Sequence, residues 1–297
     1  MCRQMSFSRL AVVSALLGTL WVPRAALAAP PAAVSLPRTG KWEMKYSPDS
    51  CQLVTAFGSG DDKVMAVLIR EEPRIDFNLE LYGKQFRSSA IAIPVELQFG
   101  PDGQSVKRGS TSLMANNPEK TPLFRTGGIR FDGEDQRPNA GPLMDIAPAY
   151  EAAITWIDVK LARGRTYRLQ TGSLGAPMAA MRACTDDLIK SWGYDSAAER
   201  TLRSRAAPVS NPGTWLRSDD FPFKSLAQGH DGMERFRLDV DAAGQPSGCR
   251  VLYRTNPDEF ADLLCELLMK RARFKPAIDA AGKPAKSFFI STIRWVS

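Results

Sequence analysis

The chain has 297 residues, enough for two domains of ordinary size. Its 44% hydrophobic and 24% charged residues fit a globular protein, and 21 prolines with 22 glycines are too few and too scattered for a low-complexity or collagen-like chain. The single histidine, His230, excludes a multi-histidine zinc site and a two-histidine metalloprotease helix.

At the N-terminus, Arg3 and Arg9 flank the start of an apolar stretch at 10–22, shorter than the roughly 20 residues that span a bilayer. Ala26-Leu27-Ala28 then supplies a small-x-small cleavage site. Residues 1–28 therefore read as a cleavable signal peptide, and 29–39 as a disordered start. An uncleaved inner-membrane anchor is the alternative. Cys2 precedes the apolar stretch, which excludes a lipoprotein signal. Cleavage removes Arg3, Arg9 and Arg24 and no acid, so a net charge of +7 falls by three. The best remaining basic run, Lys270, Arg271, Arg273 and Lys275, ends a predicted helix, where cations complement the helix dipole. The expectation is a periplasmic protein with no stable membrane span after cleavage, no nucleic-acid partner, no metal and no cofactor.

Residues 40–194 read as a β-rich domain. Apolar and polar residues alternate over 75–81 and again over 95–99, the period of a strand with one buried face. Gly100-Pro101-Asp102-Gly103 marks a turn, and further strands are predicted near 42–46, 51–57, 64–69, 157–161 and 166–170. Short strands with turns between them predict an antiparallel sandwich or barrel, and the domain is taken as sandwich-like. An irregular loop over 132–150 is open to two readings, a binding loop or an insertion. After Ser173, the spacing of Met181, Cys184, Leu188 and Trp192 places all four on one face of a helix that stops at Gly193.

Four cysteines remain after cleavage: Cys51, Cys184, Cys249 and Cys265. An even number in an oxidising compartment predicts two disulfides, with three connectivities available. Their placement along the chain favours Cys51 with Cys184 and Cys249 with Cys265. Zinc ligation would show close pairs such as C-x2-C, and the sequence has none.

Residues 195–211 read as a linker whose early part allows a short helix, and 212–297 as a second domain. Alternation over 236–240, the turn Asp241-Ala242-Ala243-Gly244 and a strand through Cys249, Val251 and Tyr253 predict a hairpin. Pro257 opens a predicted helix with Phe260, Leu263, Leu264, Leu267 and Leu268 on its apolar face. A turn at 279–283 leads to a closing strand at 286–295. The whole chain is thus expected to be α+β: a sandwich-like domain with one C-terminal helix, then a small ββαβ domain.

Asp220-Phe221-Pro222 precedes the hairpin, Gly244 turns it, Arg273-Phe274-Lys275-Pro276-Ala277 follows the helix, and Asp279, Gly282 and Pro284 precede a strand ending at Trp295. In this ordered set, residues 212–297 resemble the TonB C-terminal domain, with Phe221, Pro222, Phe274, Pro276 and Ala277 as the motif positions. Cys249 and Cys265 fall where the cysteine-containing variety of that family carries them. The resemblance implies recognition of an extended peptide by strand addition, a mode in which an open sheet edge supplies backbone donors and acceptors. The candidate edge is Ser287, Phe288, Phe289, Ile290, Ser291, Thr292, Ile293, Arg294 and Trp295. The implied partner is a cell-envelope protein, such as an outer-membrane receptor, or a second copy of the chain. A full TonB transducer has a membrane anchor and a proline-rich spacer where this chain has a signal and a β-rich domain, so energy coupling does not carry over. Residues 40–194 resemble no family.

The sequence thus reads as a non-enzymatic envelope protein with a link to TonB-type transport. A purely structural scaffold or dimer module, and a hydrolase using His230, are the rival readings. His230 lies in Gly229-His230-Asp231-Gly232, and no G-x-S-x-G nucleophile elbow occurs in the chain.

Overall fold

Ten strands alternate their side chains so that every second residue points into one shared interior. They are β1 (Val34–Pro37), β2 (Glu43–Ser47), β3 (Ser50–Phe57), β4 (Val64–Arg70), β5 (Phe77–Tyr82), β6 (Ala92–Gly100), β7 (Ser105–Met114), β8 (Pro122–Ile129), β9 (Trp156–Leu161) and β10 (Thr166–Gln170). In β3 the buried set is Cys51, Leu53, Thr55 and Phe57, and in β6 it is Val95, Leu97 and Phe99. The computed structural model describes residues 32–71, 76–90, 92–101, 103, 105–115, 117–133, 146–161, 164–254 and 259–296. The expected signal peptide, the greater part of the loop over 132–150, Asp102 and Pro257 lie outside them.

The strands form one sheet in the order β1-β10-β9-β6-β7-β8-β5-β4-β3-β2, antiparallel except where β1 pairs with β10. The sheet curls until its ends meet: Arg38, just past β1, bridges Phe57 of β3, and the Gly58 N–H donates to Pro37 O at 2.8 Å. A single hydrophobic core fills the curl, with Phe77, Phe99 and Phe131 in mutual ring contact. Helix α1 (Pro148–Ala153) precedes β9, and helix α2 (Gly175–Ser191) follows β10 and lays Met178, Met181, Cys184 and Leu188 into the core. Cys184 is bonded to Cys51 of β3, which fixes α2 in the mouth of the curl. Arg182 of α2 pairs with the buried Glu151 of α1.

These features correct the predicted fold class. The expected sandwich of two packed sheets with one helix is a single curled sheet of ten strands, and the described residues contain five α-helices. The protein is mostly β. Alternation reports that one face of each strand is buried, and this is equally true of two packed sheets and of one sheet rolled around its own core. The linker segment carries the short helix that its early part allowed, α3 (Ser196–Thr201), capped by the Asp195 carboxylate, and its later part is tied in where β11 (Ala207–Pro208) pairs with β14 (Phe274–Lys275). Residues Ala33–Ser297 form one compact unit.

The C-terminal part holds helix α4 (Phe223–Ala227), the hairpin β12 (Gly232–Val240) and β13 (Pro246–Arg254), helix α5 (Glu259–Arg271), the short strands β15 (Ala277–Ile278) and β16 (Pro284–Ala285), and β17 (Ser287–Trp295). Its main sheet runs β13-β12-β17, antiparallel throughout. One face, with Phe236, Leu238 and Phe289, packs on Leu264 and Leu268 of α5. The Cys249–Cys265 disulfide ties α5 to β13. Gly244 turns the hairpin at φ +78°, a left-handed conformation that glycine adopts without cost, and a Cβ there would collide with the Phe274 carbonyl. The Phe274 N–H in turn donates to Gly244 O at 3.0 Å.

The other face of this sheet is turned toward the ten-stranded part. Arg235 pairs with Glu71, the Arg250 Nε lies 2.6 Å from the Asp49 carboxylate, and the Arg237 guanidinium sits 4.2 Å over the Trp192 ring. Phe288 of β17 packs edge-on against Trp192 and Tyr194, and the Tyr194 hydroxyl donates to Asp239 and to Ser287 O. Burial and the neighbouring Asp239 carboxylate push the Tyr194 phenol well above its ordinary range, so it stays a hydrogen-bond donor.

Candidate functional site

β17 pairs along its full length with β12, from Ser287 opposite Val240 to Trp295 opposite Gly232. Among the described residues no strand pairs with its other side, so β17 is an edge. Its two halves differ. At the start, Ser287 is fully buried, its hydroxyl donating to Glu199 at 3.2 Å and its carbonyl accepting from Tyr194. Phe288 is buried against Tyr194, and Phe289 meets Phe274 and Trp215 with ring centroids 5.3 and 6.0 Å away. From Ile290 to Ile293 the strand is half-buried or exposed, Arg294 is exposed, and Trp295 is buried against Phe260.

The second half of β17 borders a cleft of about 730 Å³. Its walls come from three places: β17 itself at 292–296, the turn segment with Leu216, Arg217 and Phe221, and the outer side of β7 and β8 with Thr111 and Arg125. Met233 and Arg235 of β12 and Tyr253 of β13 form its floor. Among the described residues four arginines line it, Arg125, Arg217, Arg235 and Arg294, and no acidic side chain does. Two are answered from behind: Arg125 Nε lies 3.3 Å from Glu80, and Arg235 pairs with Glu71. Arg125 also lies 4.5 Å over the Tyr253 ring, a cation–π contact that fixes its guanidinium. Arg217 and Arg294 are exposed.

The family-motif residues support this wall rather than line it, Phe221 excepted. Phe221 contacts Phe260 and Trp295 with ring centroids 5.3 and 5.9 Å away, and Pro222 leads into α4. Phe274 is buried 5.5 Å from the Trp215 ring, Pro276 lies beside Gly244, and Ala277 is fully buried in β15. Asp220 accepts both Arg271 guanidinium nitrogens and the Arg217 backbone N–H. The Arg271 bond holds its carboxyl below the usual carboxylate range.

Beneath Trp295 lies a buried carboxyl that the sequence did not single out. Glu234 of β12 is fully buried, and its Oε2 accepts from the Trp295 indole N–H at 2.6 Å. Burial pushes it up to about 7, the indole bond offsetting part of the rise. The four cleft arginines were likewise invisible as a group, because Arg125 and Arg294 lie far apart in the chain and follow no motif. Only Arg294 was reached, through the edge-strand reading.

His230 is exposed just after α4, and its backbone N–H donates to Ser225 O at 2.9 Å. Among the described residues no three His, Cys, Asp or Glu side chains gather to hold a metal ion. Cys51–Cys184 and Cys249–Cys265 are both bonded as expected, a pattern compatible with an oxidising compartment. No helix among the described residues is long and apolar enough to cross a membrane. No family model matches the chain, and no curated protein matches it.

Proposed function

We propose that the protein is a non-enzymatic binding protein of the cell envelope that captures an extended peptide as a fourth strand on β17. The observation that carries this reading is that the edge of β17, unpaired among the described residues, borders a cleft of about 730 Å³ over its second half. Backbone N–H and C=O groups on such an edge give affinity and register, and the flanking walls give side-chain selectivity. The resemblance of residues 212–297 to the TonB C-terminal domain supports the same mode, with a periplasmic location and the segment of an outer-membrane receptor as ligand. Energy transduction is no part of the proposal. The ten-stranded part supplies the opposite wall of the cleft through Thr111 and Arg125. Specificity therefore depends on both parts of the chain.

The test is an amide-resolved NMR titration of the oxidised, deuterated protein with extended peptides copied from the N-terminal segments of outer-membrane receptors. Saturable shifts confined to Ile290–Val296 and their neighbours on β12 are expected. Absence of any shift at millimolar peptide would remove the receptor-segment reading.

A further inference from the structure

An added strand continues the two faces of the sheet it joins, so its side chains alternate between two different environments. On one face, β17 presents Thr292 and Arg294, in register with Arg235 and Met233 of β12, and this face looks into the arginine-lined cleft. On the other face, Ile293 and Trp295 belong to apolar clusters that also hold Leu216. Among the described residues the cleft lining contains four arginines and no acid or lysine, and two of the four, Arg217 and Arg294, are exposed, with Arg217 in the field of the Asp220 carboxylate. An arginine in a partly dewatered groove favours a carboxylate, which it grips with two parallel N–H donors.

We propose that the ligand is an acidic peptide in which carboxylate side chains recur at every second residue, separated by branched apolar residues. The proposal rests on strand addition at β17 and specifies what is added. The carboxylates face Arg294 and the cleft arginines, and the apolar residues face Ile293 and Leu216. The five residues 292–296 that border the cleft span about 17 Å at the rise of a strand, so five or six ligand residues fill it.

Four labelled peptides, added to the oxidised full chain and followed by fluorescence anisotropy, separate the possibilities. They are Glu-Val-Glu-Val-Glu-Val, its block isomer Glu-Glu-Glu-Val-Val-Val, the neutral Gln-Val-Gln-Val-Gln-Val, and the first peptide N-methylated at alternate amides. The alternating acidic peptide is expected to bind at least about 5-fold more tightly than the block and neutral peptides, one exposed charge pair contributing up to about that factor. The preference should shrink at high salt, where screening shortens to a few ångström. Arg217→Gln with Arg294→Gln, both at exposed positions, should erase the preference for the acidic over the neutral peptide. If the neutral or block peptide binds as well as the alternating acidic one, while N-methylation still abolishes binding, the acidic pattern is overturned and strand addition stands. If the N-methylated peptide binds as tightly as its parent, strand addition is overturned. If none binds at millimolar concentration, both fail together.

Discussion

In the ten-stranded sheet the outermost strands are tied back: β1 continues into a bridge with β3, and β2 lies against the helix that closes the curl. In the three-stranded sheet, the first half of β17 is covered, Phe288 by Trp192 and Tyr194 and Phe289 by Trp215 and Phe274, and the second half is left at the wall of a charged cleft. Edges that could template pairing with other chains are usually blunted or covered, so an edge left open beside a groove is the place where pairing is useful. One part of the molecule spends its whole sheet on enclosing a core, and the other keeps a strand in reserve. The same contrast runs through the disulfides, because Cys51–Cys184 closes a 133-residue separation and Cys249–Cys265 a 16-residue one.

The contrast can be broken by mutation. Cys51→Ala with Cys184→Ala should cost about 5 kcal/mol and Cys249→Ala with Cys265→Ala about 3 kcal/mol, since the longer loop constrains the unfolded chain more. Guanidinium denaturation of the two double variants checks the order, and equal losses would show that loop length is not what sets the contribution of each bond. Phe288→Ala should cost about 3 kcal/mol through the cavity it leaves between Trp192 and Tyr194. Because that side chain joins the two parts, hydrogen exchange should rise in β3 as well as in β12. Exchange raised in β12 alone would mean that the parts open separately.

Glu234 offers a subtler probe. Its carboxyl, at 4.5 in its ordinary setting, is raised to about 7 by burial, so the folded chain holds this proton more tightly than the unfolded chain. The stabilisation is complete below about pH 4.5 and is lost as pH rises through about 7. Glu234→Gln keeps an acceptor for the Trp295 indole and removes the titration. The variant should therefore gain about 2 kcal/mol over the parent between pH 5 and pH 8. Parallel pH profiles for the two proteins would refute this. Smallest of all, Arg250→Ala should cost less than about 1 kcal/mol, because the Arg250–Asp49 pair that bridges the two parts is largely exposed on the arginine side. A larger loss would mean that ion pairs, rather than the Phe288 contacts, hold the parts together.

Much of the local structure was legible. Alternation marked β5, β6 and β12, β3 was among the further strands predicted, the Met181–Cys184–Leu188 spacing marked α2, and the positions of the cysteines along the chain indicated both bonded pairs. What alternation does not encode is how far a sheet rolls, and so the sandwich expectation failed at the long-range bridge between Arg38 and Phe57. The strand in the linker escaped because β11 has two residues and exists only through its pairing with β14. Glu234 escaped for a different reason. It stands at an inward position of β12, between Gly232 and Phe236, where a charge contradicts the pattern until the distant Trp295 indole supplies its partner. The cleft was illegible because its walls come from segments that meet only after the ten-stranded sheet has curled.

The order of the four bonded cysteines also bears on biosynthesis. Cys51 pairs with the next of them to leave the ribosome, Cys184, and Cys249 pairs with the one after it, Cys265. An oxidant that joins these thiols strictly in order of arrival reaches the native connectivity with no reshuffling.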